Sequence, residues 1–132
     1  MPVAVETSLT PGAIFQRDFR TRGQQTVDGR PLRILQWNIE RGYQLQRIIS
    51  ELKAADADII ALQEIDIGNE RSDKYDTGVE IATQLCLNYA FLCEFEELHS
   101  PQRSADAQGG GVHGNAILSK FDISNVRAIE HR

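Results

Sequence analysis

A mixed α/β fold is the class this sequence predicts, and three observations carry it. A short apolar run over residues 32–37 is followed by a helix-periodic stretch, and then by a second apolar run over residues 58–63. The joints between the three are short, so they form one βαβ unit whose strands run parallel with a right-handed crossover. A second helix-like stretch and further strand-like runs follow in the same alternation.

Taken in order, residues 1–31 are broken by Pro2, Pro11-Gly12, Gly23, Asp28-Gly29 and Pro31. They read as an irregular leader, with a short strand at Ala13-Ile14-Phe15. Residues 32–132 form the single domain. The run Leu32-Arg33-Ile34-Leu35-Gln36-Trp37 reads as a buried strand, and Gly42 breaks the chain before a helix. In that helix Leu45, Ile48, Ile49, Leu52 and Ala55 make an apolar stripe, with Arg47, Glu51 and Lys53 turned outward. A polar loop follows the second strand from about Ile67 to Asp76. Thr77-Gly78-Val79-Glu80 matches a capping box with Thr77 as the N-cap, and it opens a helix whose Val79, Ala82, Leu85 and Cys86 share a face. Tyr89–Cys93 is the next strand. The stretch from about Glu96 to Gly114 reads as one long polar loop, and loops of that length are usually functional or disordered. Its Gly109-Gly110-Gly111 is no Walker loop, since no Gly-Lys-Ser/Thr follows, and it reads as a mobile lid. Asn115–Ser119 returns to strand character, and Val126–Ile129 is expected as one more short strand.

The chain has 132 residues, the size of one domain, with 41% apolar and 25% charged residues, an ordinary globular composition. Fourteen basic against 19 acidic residues leave a net charge of −5. Proteins that hold nucleic acid by bulk charge carry a basic surplus, so a polyphosphate substrate must be met locally, through a metal ion. Cys86 and Cys93 form no C-x-x-C and have no histidine at ligand spacing, which argues against zinc; they read as two reduced core thiols. The N-terminus has no signal-peptide pattern and no run reaches membrane-spanning length. An intracellular protein, cytoplasmic or nuclear, is the expectation.

Two polar residues stand at positions that matter in such a fold. Asn38 directly follows the first strand of the βαβ unit and Glu64 directly follows the second. Both therefore lie at carboxyl ends of neighbouring parallel strands, where α/β sheets place their ligands. A carboxylate and an amide oxygen there suit a hard cation such as Mg2+. On pattern alone the same positions also suit a loop-capping glutamate and a turn-forming asparagine.

Three segments add to this. Trp37-Asn38-Ile39-Glu40-Arg41-Gly42, then Leu62-Gln63-Glu64-Ile65-Asp66, then Gly114-Asn115-Ala116-Ile117-Leu118-Ser119 resemble three successive motifs of the endonuclease/exonuclease/phosphatase superfamily, in the family's order, over residues 32–125. The resemblance implies a metal-dependent phosphoesterase, with phosphodiester hydrolysis as its reaction. It implies Glu64 as the principal ligand of Mg2+ (or Mn2+), Asn38 beside the metal, and Asn115 near the substrate phosphate or supporting the site. The substrates it implies are phosphate esters: nucleic acid, inositol phosphate or a phospholipid headgroup. Arg71 lies in a loop that borders the active-site rim in relatives, where a guanidinium could meet a phosphate, although a solvated loop arginine is the simpler reading. Asp66 reads as a loop residue, and neither His113 nor His99 matches a catalytic histidine of the family.

The family's further motifs, an Asp-x-Asn, a Thr/Ser-His-Leu-like strand and a terminal Ser-Asp-His, are absent from these 132 residues. The expectation is therefore the N-terminal half of a four-layer α/β/β/α sandwich, its C-terminal half absent. Such a chain is expected to be weakly active or inactive, with one sheet face uncovered and prone to self-association. A second reading is a non-catalytic interaction module that associates through that uncovered sheet. A third, a flavodoxin-like nucleotide-binding domain, lacks a phosphate-cradling glycine loop after the first strand.

Overall fold

The computed structural model describes residues 9–22 and 29–131. Pro2, Gly23 and Asp28, invoked above for the leader, lie outside them. Strand β1 is Ile14–Asp18, β2 Ile34–Asn38, α1 Leu45–Ala55, β3 Ile59–Ile67, α2 Thr77–Leu85, β4 Asn88–Glu97 and β5 Gly111–Ser119. Single 3-10 turns sit at Glu40–Gly42, Glu70–Ser72 and Ala105–Ala107. The strands form one sheet in the order β1-β4-β5-β3-β2. Strands β2 and β3, joined through α1, pair in parallel as the βαβ pattern predicts, whereas β3–β5, β5–β4 and β4–β1 are antiparallel.

The helices lie together and cover one face of this sheet. Ile48, Ile49 and Leu52 of α1 and Val79, Ile81 and Ala82 of α2 enter one apolar cluster with Ile60, Leu62, Ile65, Tyr89, Phe91 and Leu118 from the strands. Leu45 packs at the margin of that cluster and Ala55 is exposed, so the apolar stripe read from the sequence runs one turn too far. The opposite face carries Ile34, Gln36 and Asn38 of β2, and Ile117 of β5, with Ile34 68% and Ile117 50% exposed. One sheet with helices on one side is the two-layer arrangement expected of half of a four-layer sandwich.

Several expectations are corrected. Strand β2 is an edge strand in which exposed Ile34, Gln36 and Asn38 alternate with half-buried Leu35 and Trp37; it is not buried on both faces, because helices cover only one. Strand β4 runs on to Glu97 and β5 starts at Gly111, so the expected long loop shrinks to residues 98–110. Of the polar residues that suggested a loop, Glu96 and Glu97 end β4, and the buried His113 belongs to β5. Residues 126–129 adopt no regular element. The N-cap of α2 is Asp76, one residue before the expected Thr77; its carboxylate accepts a 3.0 Å bond from the Val79 N–H, and Thr77 is buried within the first turn. Both thiols are free, but only Cys93 is in the core, while Cys86 is exposed at the left-handed C-cap of α2.

At the far end of the sheet from the candidate residues, Asp58 ties three segments together. Its fully buried carboxylate accepts a fork of bonds from Arg30 (2.7 and 2.8 Å), one from the Arg33 N–H and one from Lys120. The Arg30 guanidinium, ahead of the other donors, holds this carboxyl far below its ordinary value, so its contribution to stability is present at neutral pH and is lost only in strong acid.

Asp76 behaves in the opposite sense. Burial raises its carboxyl to about 6, against the lowering effect of the Val79 N–H. The folded state therefore holds a proton more tightly than the unfolded chain does, and stability declines as pH rises through that value. An asparagine caps a helix about as well as aspartate and carries no charge to bury. We expect Asp76→Asn to stabilise the protein by on the order of 2–3 kcal/mol above pH 7, with the gain vanishing near pH 4. Urea unfolding of both proteins across that range checks it; a gain independent of pH would refute the assignment.

Candidate active site

Three neighbouring strands bring the sequence-predicted residues to one level of the sheet. Asn38 ends β2 as expected, whereas Glu64 does not follow its strand but lies within β3, which a bulge carries on to Ile67, and Asn115 lies within β5. Asn38, the last residue of β2, is the register partner of Gln63 on β3. On the other side of β3, Leu62 pairs with Ala116 and Ile65 with Gly114, so Gln63 and Glu64 together stand opposite Asn115. That two-against-one count is a β-bulge. Asn38, Glu64 and Asn115 thus occupy contiguous positions on β2, β3 and β5, with no direct hydrogen bond among the three.

Glu64 sits in the bulge with φ +58, a left-handed conformation that glycine ordinarily supplies at such positions. A glutamate held there is strained by on the order of 1–2 kcal/mol. Its carboxylate is half-buried and has no hydrogen-bond or ion-pair partner among the described residues. A strained backbone that presents an unpaired carboxylate sacrifices stability, and such positions cluster at functional sites.

The surroundings of Asn38 are turn-like but leave it capacity. Its Oδ1 accepts a 3.1 Å bond from the Glu40 N–H, while Glu40 and Arg41 both have positive φ. The Ile39 N–H bonds the Gln63 carbonyl at 3.1 Å, pinning this turn to β3 just before Glu64. One lone pair of Oδ1 and both N–H groups of Asn38 remain free. Gln36 and Gln63, on the same face, bond each other at 2.6 Å.

Asn115 has a partner that sequence reading missed. Its Nδ2 donates to the carboxylate of Glu94 on β4. A second bulge, between Cys93 and Phe95, admits Glu94 to this position. Gly114, next to Asn115, admits no Cβ, because one would collide with the Leu92 carbonyl and the Phe91 ring. The only trace of Glu94 in the sequence is a charge directly after the apolar run Tyr89–Cys93.

Asp66 and Arg71 depart from their expected roles, and His113 is a partner of Asp66. Asp66 is no loop residue but a fully buried part of β3, gripped by Arg71 (2.8 and 3.0 Å), Ser72 (2.9 Å) and His113 Nδ1 (2.8 Å). Burial alone would raise its carboxyl; the bonds from Arg71, His113 and Ser72 outweigh that and hold it below its usual value. Arg71 is not a solvated arginine either. Its side chain is 5% exposed and also bonds Glu97 at 3.0 Å, so its charge is spent inside the protein. His113 is buried and stacks on Phe95 at 4.9 Å, and His99 is exposed on the loop after β4.

Glu64 and the spare lone pair of Asn38 fit Mg2+, which takes one or two protein oxygens and keeps water in its other positions. No group of three or more His, Cys, Asp or Glu side chains able to hold a metal occurs among the described residues.

The profile of the endonuclease/exonuclease/phosphatase family matches residues 35–130. The chain belongs to this family. The matched span runs through β2, β3, β4 and β5, and so includes Asn38, Glu64 and Asn115. No curated protein and no solved structure matches the chain. No helix among the described residues is long and apolar enough to cross a membrane. Membership in the endonuclease/exonuclease/phosphatase family supports a hydrolase of the phosphoesterase or nuclease type.

Glycine at position 64 would relax the backbone while deleting the carboxylate. Glu64→Gly should therefore raise the urea midpoint, by a stability gain on the order of 1 kcal/mol, while Glu64→Gln should leave stability unchanged. A destabilised Glu64→Gly protein would show that the bulge carries no strain.

Proposed function

We propose that this chain is the metal-binding part of a phosphodiester hydrolase. The unpartnered carboxylate of Glu64, held in a left-handed bulge between Asn38 and Asn115, is the observation that carries this reading. Glu64 would hold Mg2+ or Mn2+, with Asn38 orienting Glu64 or accepting the ion's neighbouring water. When bound, the ion supplies positive charge that stabilises the phosphoryl oxygens. Because the chain is acidic overall, phosphate is met through this local site rather than by bulk attraction. The substrate is a phosphate ester of a nucleic acid, an inositol phosphate or a phospholipid headgroup.

Turnover by this chain alone is proposed to be weak. The acid–base work of hydrolysis calls for a histidine near the phosphate. His113 is committed to Asp66 and Phe95, and His99 and His131 lie exposed outside the strands that carry Glu64 and Asn115. Hydrolysis of a chromogenic phosphodiester with Mg2+ or Mn2+ tests both parts. We expect a trace rate that requires metal and disappears in Glu64→Gln. Metal-independent hydrolysis, or equal rates in the variant, would refute the proposal, and a fast metal-dependent rate would refute the weakness alone.

The exposed Ile34 and Ile117 favour a second reading, in which the open sheet face associates with a second copy. Under it, sedimentation should show a concentration-dependent dimer that Ile117→Lys abolishes. A monomer at high concentration would refute it.

A further inference from the structure

We infer that Glu94 is a positioning residue for this site, fixing the side-chain amide of Asn115 so that its oxygen serves the cation beside Glu64. The inference rests on Glu64 being the metal ligand. An asparagine amide offers two faces, an oxygen that accepts and a nitrogen that donates, and only its partners decide which faces the site. Here the partner is a carboxylate, and a carboxylate can only accept. Nδ2 of Asn115 must therefore be the atom turned toward Glu94 on β4. Strand β5 lies between β4 and β3, so the Oδ1 on the other arm of the amide is left on the β3 side, where Gln63 and Glu64 stand opposite Asn115. That oxygen accepts no hydrogen bond among the described residues.

The backbone reinforces this assignment. β5 is flanked at Gly114 and Asn115 by two bulges, one on each neighbouring strand, and each admits one glutamate. The β3 bulge carries Glu64, and the β4 bulge, one step further along β5, carries Glu94, whose carboxylate reaches the Asn115 amide. A bulge re-aims a side chain at the expense of ladder bonds, and two of them converging on one asparagine is a costly arrangement for a purely structural contact. The chemistry also separates two roles for Asn115. A phosphate would require its N–H groups, yet the Glu94 carboxylate occupies one of them and repels an anion from the other. An oriented amide oxygen next to a free carboxylate suits a hard cation, whose ligand oxygens are commonly held by such outer partners.

Mn2+ alone, titrated calorimetrically into the purified chain, is the probe. Glu94→Ala and Asn115→Ala should each weaken Mn2+ binding about tenfold, and the double variant should be no weaker than either single one, since both remove the same oriented oxygen. Glu94→Gln, whose side-chain oxygen can still accept from Nδ2, should recover most of the affinity. A merely structural role would not show that rescue, and thermal melts of each variant establish that it is folded. If Glu64→Gln abolishes binding while Glu94→Ala binds like the parent, the positioning role is overturned and the metal reading stands. If Glu94→Gln is as weak as Glu94→Ala while Asn115→Ala has no effect, Glu94 acts through its charge and the orienting role is likewise overturned. If Glu64→Gln itself binds normally, the metal reading fails and the positioning role falls with it.

Discussion

The close approach of β4 and β5 at Gly114 is the contact on which the site depends. No side chain can stand at that residue, because the Leu92 carbonyl and the Phe91 ring fill the space a Cβ would take. Strand β5 is shared, pairing with β3 on one side and β4 on the other, so a shift there would move both partners. Each partner carries an extra residue at this level, and those two residues are Glu64 and Glu94. The polar end of the open face is thus built from one tight backbone crossing and two interruptions of the ladder beside it.

Polar groups are divided between two jobs. Asp66, Arg71, Ser72, His113 and Glu97 form a buried network in which each charge has its counter-charge. It joins the loop after β3 to the start of β5, helped by Asn69, which accepts from the Gly111 N–H and donates to the Val112 carbonyl. Breaking one partner of such a network strands a buried charge, which is why these groups are poor candidates for chemistry that needs them free. Glu64 and Asn38 lie just beyond it with unused bonding capacity. The satisfied groups support the scaffold, while Glu64 and Asn38 keep the bonding capacity on which the proposed function rests.

Only part of this was legible in advance. The parallel pairing of β2 and β3 through α1 followed from apolar runs and helical spacing, because periodicity is a local property. The position of Asn38 at the end of β2 followed from the same pattern, but Glu64 did not end its strand: β3 runs on to Ile67 and carries Glu64 in a bulge. The extent of β4 and β5 did not follow from it, since Glu96 and Glu97 at the end of β4 and the glycines around the start of β5 read as loop residues in sequence. Thr77 seemed the better cap because its hydroxyl matched a motif, yet the chain enters α2 one residue earlier and Asp76 takes the place.

The sequence by itself determined the α/β class, the family and the singling out of Asn38 and Glu64. These depend on side-chain type and spacing along the chain. Tertiary structure decided which charges are spent and which are free. Arg71 and His113 are consumed by Asp66, and Glu94 is joined to Asn115, only because β4, β5 and the loop after β3 meet in space. Such pairings depend on register and bulges between strands distant in sequence, and no local pattern encodes them.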